Sequence, residues 1–155
     1  FMHAAEFGIP TFVVNPQSFD SRETWGEELR AQVSVWKPDL VVCAGFMRIL
    51  PANFVRAFSP FIINVHPALL PRFQGAHAVR EALSAGVRET GSTVHVVDEG
   101  VDTGPIIRQV AVAVEAGDTE QSLHEKIKQV ERPLLVETVG SIARGHINLK
   151  ELVTQ

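Results

Sequence analysis

An asparagine and a histidine alternate at the end of an apolar segment of the sequence. Residues 61–71 read Phe-Ile-Ile-Asn-Val-His-Pro-Ala-Leu-Leu-Pro, so that Asn64 and His66 stand two positions apart. Side chains two apart in a strand point to the same side of the sheet. An amide beside an imidazole suits acyl transfer, because the amide stabilises an oxyanion and the imidazole moves protons near neutral pH. The same pair is also compatible with a strand end that only caps loop backbone.

A second set of chemically useful side chains lies in an acidic loop. Residues 98–105 read Asp-Glu-Gly-Val-Asp-Thr-Gly-Pro and separate two apolar segments. A carboxylate from this loop that lay close to His66 would favour the protonated imidazole. Acids that bond only their own backbone in Asx turns occur in the same kind of sequence. The sequence therefore offers Asp98, Glu99 and Asp102 as acids without deciding among them.

Metal binding and thiol chemistry have little support in the sequence. The side chains that could hold zinc or iron are irregularly spaced, at His66, His77, His95 and Asp102, so we expect no metal site. The only cysteine, Cys43, lies within an apolar segment and is expected to be a buried, unreactive thiol in a reduced, cytoplasmic setting. Neither a Gly-x-Gly-x-x-Gly motif nor a Walker-type phosphate loop occurs.

Apolar segments alternate with helix-like segments, which predicts an α/β fold with a largely parallel sheet. Strands are predicted at residues 11–14, 40–44, 61–65, 93–97 and 106–114, with a small terminal strand at 147–149. Helices are predicted at 1–7 (closed by Gly8), 20–36, 51–57 and 78–85, and from 118 through a kink at Pro133. Asp20 and Asp118 are the predicted N-caps, with Glu23 and Gln121 as capping-box partners. Open α/β sheets bind ligands beyond the carboxyl ends of their strands, where Asn64 and His66 are expected.

The composition fits one domain of ordinary size. The chain has 155 residues, 45% of them hydrophobic and 21% charged, which is enough to build a sizeable core. No run approaches the ~18 apolar residues of a membrane span. A net charge of −4 argues against a nucleic-acid surface, which is normally basic.

Three ordered motifs resemble the formyltransferase family that uses 10-formyltetrahydrofolate. They are Asn64-x-His66-Pro67-Ala68-Leu69-Leu70-Pro71, Gly91-Ser92-Thr93-Val94-His95 and Asp102-x-Gly104-Pro105-Ile106-Ile107. Residues 44–50 and 94–105 are similar to those of the members that formylate glycinamide ribonucleotide in purine synthesis. The resemblance runs from about residue 8 to about residue 145. It implies a Rossmann-like three-layer fold with a mostly parallel central sheet, 10-formyltetrahydrofolate as co-substrate, and no metal.

The resemblance also implies roles for individual residues. It gives Asn64, His66 and Asp102 as the catalytic residues and a cis peptide bond at Leu70–Pro71. It places folate contacts at Arg22, Met47, Arg48, Ile49, Leu50, Asn64, Asp98, Glu99, Gly100 and Val101. It places contacts with the ribonucleotide at Pro67, Lys128 and Glu131. The implied partners are these two small molecules, with neither nucleic acid nor membrane. The sequence leaves the oligomeric state open, and a homodimer is one of the options.

One departure from the family concerns the start of the chain. The family opens with a strand, a glycine-rich phosphate loop and a helix, and the sequence beginning at Phe1 has no counterpart to them. We therefore expect residues 1–155 to be a single formyltransferase domain that is N-terminally incomplete, with strands missing from its sheet. Two alternatives stay open at this point: a formyltetrahydrofolate hydrolase core, and a folate-binding fragment that does not catalyse.

Overall fold

The computed structural model describes residues 2–154, which form six α-helices and four β-strands. In chain order these are α1 (Met2–Glu6), α2 (Arg22–Val35), β1 (Val41–Cys43), α3 (Ala52–Phe58), β2 (Ile62–His66), α4 (Ala78–Ser84), β3 (Glu89–Val96), β4 (Ile106–Ala113), α5 (Glu120–Ala143) and α6 (Leu149–Leu152). The five predicted helices are confirmed, although Phe1, the predicted start of the first, lies outside the described residues. Four predicted strands are confirmed, and β3 begins earlier than expected. None of the described helices is long and apolar enough to cross a membrane.

The four strands form a mixed sheet in the order β1-β2-β3-β4. Strands β1 and β2 are parallel, whereas β2–β3 and β3–β4 are antiparallel. The α/β fold is thus confirmed, but the prediction of a mostly parallel sheet is wrong for these strands. A parallel connection requires about a dozen residues or more, and the loop between β3 and β4 is too short for one. A register shift between Val94 and His95 bulges the ladder just before this loop.

Helices cover both faces of the sheet, as the three-layer prediction requires. On one face, Ile62 and Cys43 pack with Phe54 of α3 and with side chains of α2. On the other face, Ile63 and its neighbours pack with α5 and α6. Since Ile62 and Ile63 are adjacent and fully buried, the alternation of β2 points one into each layer. Burial of such an isoleucine contributes about 1.5–3 kcal/mol.

Two predicted strands are absent from the described residues. Residues 11–14 pair with no strand there, and Val13 is 69% exposed. The segment contacts α2 through its backbone, where Trp25 Nε1 donates to the carbonyl of Val14. An apolar segment becomes a strand only when a neighbouring edge pairs with it. Residues 147–149 lead instead into the short helix α6, which Asn148 caps by accepting from the Lys150 N–H.

The two predicted N-caps are each one residue too early. Ser21 caps α2 in a reciprocal capping box with Thr24, and Thr119 caps α5 in the same way with Ser122. Asp118 instead accepts hydrogen bonds from Ser122 Oγ and Lys126. Helix α5 continues through Pro133, and its kink stays a prediction. That residues 1–155 are one N-terminally incomplete domain also stays a prediction.

Candidate active site

Asn64 and His66 lie on one face of the sheet at the end of β2, as predicted. His66 is 4% exposed, and Asn64 is half-buried. The antiparallel register places His95 of β3 opposite Asn64 and Thr93 opposite His66. The carboxyl end of β2 therefore carries a compact row of polar side chains.

Of the three acids that the sequence offered, Asp102 is the one that reaches His66. Its Oδ2 lies 3.3 Å from His66 Nδ1 and accepts the Gly75 N–H at 2.8 Å. Asp98 forms an Asx turn, since its Oδ1 accepts from the Gly100 N–H and from Thr103 Oγ1.

Glu99, in contrast, lies at the surface with Arg56. Its Oε1 is 3.3 Å from Arg56 Nη1, in an exposed ion pair. The carboxylate of Glu99 therefore has a partner outside the row of polar side chains at the end of β2.

A glycine allows the acidic loop to return beside the sheet. A Cβ at Gly104 would collide with the carbonyl oxygen of Val96. Close by, the Val96 N–H donates to the Pro105 carbonyl at 2.9 Å. Asp102 adopts the left-handed region with φ of 54°, which is uncommon outside glycine, although Asp tolerates it better than most residues. Both features aim the Asp102 carboxylate inward at β2.

His95 is a site residue that the sequence offered only as a weak metal ligand. Its Nε2 lies 3.3 Å from Asn64 Nδ2 and 3.5 Å from Asp102 Oδ1. Its Nδ1 lies 2.9 Å from the carbonyl oxygen of Val96 and donates to it. His95 therefore joins the amide of Asn64 to the carboxylate of Asp102. The sequence signal for this role would have been that Asn64 and His95 are polar residues on apolar strands that pair with each other.

The ring of His66 lies between two oxygen acceptors. Asp102 faces Nδ1, and the carbonyl oxygen of Phe73 lies 2.7 Å from Nε2. This arrangement suits an imidazole that carries a hydrogen on both nitrogens. The predicted cis bond at Leu70–Pro71 is present in the loop that brings Phe73 back to His66.

The pKa of Asp102 is lowered to about 2. The hydrogen bond from His95 is the largest cause, burial opposes it, and the Gly75 N–H and the charges of His66 and His95 lower it further. The carboxylate of Asp102 is thus ionised throughout the physiological range of pH.

This low pKa predicts a loss of stability in acid. A carboxyl whose pKa falls on folding stabilises the protein above its unfolded pKa of about 4, and this contribution is lost as the pH falls towards 2. We expect Asp102→Asn to flatten the decrease in unfolding free energy between pH 4 and pH 2, measured by urea titration. Part of the decrease will persist in the variant, because hydrogen bonds from the Glu115 N–H, Lys126 and Ser122 also lower the pKa of Asp118 to about 2.

The exposed Asp39 gives the control for the acid titration. The variant Asp39→Asn should leave the decrease in unfolding free energy as it is in the unmodified chain. If the unfolding free energy falls equally steeply between pH 4 and pH 2 in the unmodified protein and in both variants, the lowered pKa of Asp102 is contradicted.

A cavity of about 310 Å³ opens beside these residues. Its walls include most of the predicted site residues, namely Met47, Arg48, Ile49, Leu50, Asn64, His66, Pro67, Asp98, Gly100, Val101, Asp102 and Glu131. Gly45 and Phe46, which precede Met47 in the same segment, also line it. The walls further include residues that the sequence did not indicate as cavity walls: Cys43, Val65, Gly75, Ala76, His77, Ala78, Val79, His95, Val97, Glu120 and His124. The cavity volume is in the lower part of the range for small-molecule sites.

Three predicted contact residues lie outside the walls of this cavity. Glu99 pairs with Arg56 at the surface. Lys128 pairs with Glu125 of the preceding turn of α5 at 3.0 Å. Arg22 lines a neighbouring depression of about 280 Å³, which shares Arg48 with the main cavity.

No group of three or more histidine, cysteine, aspartate or glutamate side chains in residues 2–154 is arranged to hold a metal ion. Cys43 is buried, and burial raises the pKa of its thiol to about 11. A thiol with that pKa is protonated near neutral pH, in agreement with the prediction of an unreactive cysteine.

Comparison with known proteins decides the family. The model of the family described as formyl transferase matches residues 2–139, which is most of the chain. This chain belongs to the formyl transferase family. The motifs around Asn64, His95 and Asp102 that indicated the resemblance all lie within the matched residues.

Relatives of this formyl transferase include bacterial phosphoribosylglycinamide formyltransferases. The chain is 50% identical over 140 residues to the protein of Mycobacterium tuberculosis, a match that covers 90% of the chain and 65% of the relative. It is 38% identical over 148 residues to that of Escherichia coli, covering 96% of the chain and 70% of the relative. The chain therefore spans slightly less than two thirds of the M. tuberculosis protein.

Solved structures confirm the fold of this formyl transferase. Glycinamide ribonucleotide transformylase 1 from Symbiobacterium toebii superposes with a TM-score of 0.90 at 38% identity, covering 93% of this chain and 68% of that one. Phosphoribosylglycinamide formyltransferase from Bacillus halodurans gives 0.89 at 38% identity, covering 99% and 78%.

Proposed function

We propose that this formyl transferase transfers the formyl group of 10-formyltetrahydrofolate to the amine of glycinamide ribonucleotide in purine biosynthesis. Relatives that carry the name phosphoribosylglycinamide formyltransferase support the proposal. The observation that carries it is the meeting of Asn64, His66 and Asp102 at the wall of one cavity. An amide, an imidazole and a carboxylate that line one cavity are the groups that acyl transfer to an amine uses.

In the first step, the amine of the ribonucleotide attacks the formyl carbon and the formyl oxygen gains negative charge. Asn64 lines the cavity, where an N–H of its Nδ2 can donate to this oxygen. Protonated His66 supplies the second donor when Nε2 exchanges the Phe73 carbonyl for the substrate. One such donor is typically worth about 3 kcal/mol of activation free energy.

In the second step, the bond between the formyl carbon and N10 breaks. The attacking amine loses one proton and N10 of tetrahydrofolate gains one. The overall reaction therefore neither releases nor consumes a proton. Asp102 takes part in moving this proton by orienting His66, because its carboxylate faces both imidazoles. A carboxylate with a pKa of about 2 stays ionised while it does so.

The two halves of the cavity suit the two proposed substrates. The folate lies against the segment 47–50 and the loop 98–101, whose apolar side chains and backbone can enclose a flat ring. Arg22 and Arg48 line the neighbouring depression, where guanidinium groups can bind the carboxylates of the folate glutamate. The ribonucleotide lies on the side of Pro67 and Glu131, with Lys128 one turn earlier on α5.

The proposal also includes the setting of the enzyme. The partners are small molecules, with no nucleic acid or membrane and no metal cofactor. The chain acts in the cytoplasm, which accords with its single cysteine being a free thiol, and a homodimer is among the assemblies that the proposal allows.

An assay of both products tests this function. With 10-formyltetrahydrofolate and glycinamide ribonucleotide present, we expect formylated ribonucleotide and tetrahydrofolate in equal amounts, measured by mass spectrometry and absorbance. A ribonucleotide whose amine is already acylated is the control and should give neither product. Tetrahydrofolate formed at the same rate without the ribonucleotide would indicate the hydrolase. Binding of a folate analogue without turnover would indicate the non-catalytic fragment.

A further inference from the structure

Three residues are aligned in one row across the sheet at the level of the candidate active site. His66 of β2 is paired with Thr93 of β3, and Thr93 is paired with Gln109 of β4. Residues paired in this way point their side chains to the same face. Thr93 is fully buried, and neither Thr93 nor Gln109 lines the main cavity.

The side chains of Thr93 and Gln109 bind the backbone that follows His66. Thr93 Oγ1 donates to the Ala68 carbonyl at 2.6 Å and accepts from the Leu70 N–H at 3.1 Å. Gln109 Nε2 donates to both Thr93 Oγ1 and the Leu70 carbonyl at 2.9 Å. The hydroxyl of Thr93 thus uses its one donor and both acceptor sites. The polar side chains of Thr93 and Gln109 therefore hold the backbone of residues 68–70, next to His66, by hydrogen bonds.

Residues 68–70 lead directly into the residues that contact His66 and Asp102. Beyond Leu70 the chain turns back, and the Phe73 carbonyl meets His66 Nε2 at 2.7 Å. The Gly75 N–H then meets Asp102 Oδ2 at 2.8 Å. The loop is thus fixed at Ala68 and Leu70 and returns at Phe73 and Gly75. Loss of the contacts at Ala68 and Leu70 would therefore free the loop that carries the contacts at Phe73 and Gly75.

We propose that Thr93 and Gln109 are positioning residues, which hold the loop 68–75 so that its backbone orients His66 and Asp102. Neither residue touches substrate in this proposal. Its effect on turnover rests on the proposed function, whereas its effect on the environment of the His66 ring does not.

Two threonines of β3 provide a matched pair for the test. Thr90 lies on the same strand, is 1% exposed, and its Oγ1 has no hydrogen-bond partner among residues 2–154. Valine has almost the shape of threonine and lacks the hydroxyl, so each Thr→Val variant removes only the hydrogen bonds present at its site. We expect Thr93→Val to lower kcat by about 10-fold to 100-fold, with each KM within a factor of about three, since small misplacements of catalytic groups cost up to about 100-fold.

The companion variants sharpen this expectation. Thr90→Val should keep the kcat of the unmodified protein, and Thr93→Ser, which retains the hydroxyl, should recover most of it. Gln109→Glu replaces the donor that faces the Leu70 carbonyl with an oxygen, and it should reproduce the loss. If Thr93→Val does not fold, Gln109→Glu carries the test, with Thr93→Ser as the variant that keeps the hydroxyl and the activity.

The NMR signal of the His66 Nε2–H gives a second readout that needs no turnover. We expect it to shift in Thr93→Val and Gln109→Glu and to stay in place in Thr90→Val. If the unmodified protein shows no transfer activity, the proposed function is overturned, but the NMR comparison of the variants still tests the positioning role. An unshifted His66 signal in Thr93→Val and Gln109→Glu would overturn the positioning role, whether or not kcat falls.

Discussion

Replacement of His66 by alanine is expected to lower the rate of formyl transfer by about 100-fold or more while a stable folate analogue still binds. The imidazole is proposed to donate to the oxyanion and to move a proton, and either contribution alone is typically worth about 100-fold or more. Most of the cavity wall comes from other residues, above all from the segment 45–50 and the loop 97–101. The measurements are kcat for transfer and the Kd of the analogue.

The exposed His146 provides the control for this variant. His146→Ala should keep both kcat and Kd, because it lies beyond α5 and outside the cavity walls. If His66→Ala loses analogue binding together with transfer while remaining folded, then His66 acts as a structural residue and the mechanism is wrong.

The second large effect is expected for Asp102→Asn. In the unmodified protein both carboxylate oxygens accept, from the Gly75 N–H and from the two histidines. An asparagine keeps the shape but turns an NH2 group towards one of these donors, and it removes the negative charge that faces both imidazoles. We expect kcat to fall by about 100-fold or more, within the usual range for loss of acid–base assistance.

The Asp102→Asn variant should keep its fold near neutral pH, as judged by thermal unfolding and circular dichroism. The exposed Asp39→Asn serves as the charge-matched control and should retain full activity. Transfer at the unmodified rate by Asp102→Asn would show that the carboxylate is a packing element of the loop.

The sequence was sufficient for those parts of the site that depend on local periodicity. Asn64 and His66 share a face because a strand alternates its side chains, and their position after an apolar run predicted a site at the strand end. The structure places both side chains in the wall of one cavity at the end of β2. The acid partner could not be chosen in the same way, because Asp98, Glu99 and Asp102 share one loop. Its return path depends on Gly104 and on the backbone of β3.

The errors in the fold have a common physical origin. Residues 11–14 are apolar enough for a strand, but pairing depends on a partner edge that local pattern does not encode. The orientation of β3 was also missed, since apolar runs predict strands without their direction. His95 was underestimated because its role appears only when the register places it opposite Asn64.

The central claim is that the cavity beside Asn64, His66 and Asp102 holds the formyl group of the folate during transfer. The most direct measurement is a crystal structure of the protein with a stable analogue of 10-formyltetrahydrofolate. The account predicts that the carbonyl oxygen of the analogue lies about 2.7–3.1 Å from Asn64 Nδ2, within reach of the His66 ring, with the pterin-like ring against residues 47–50 and 98–101. An analogue bound elsewhere, or bound in the cavity with its carbonyl turned away from Asn64 and His66, would contradict it.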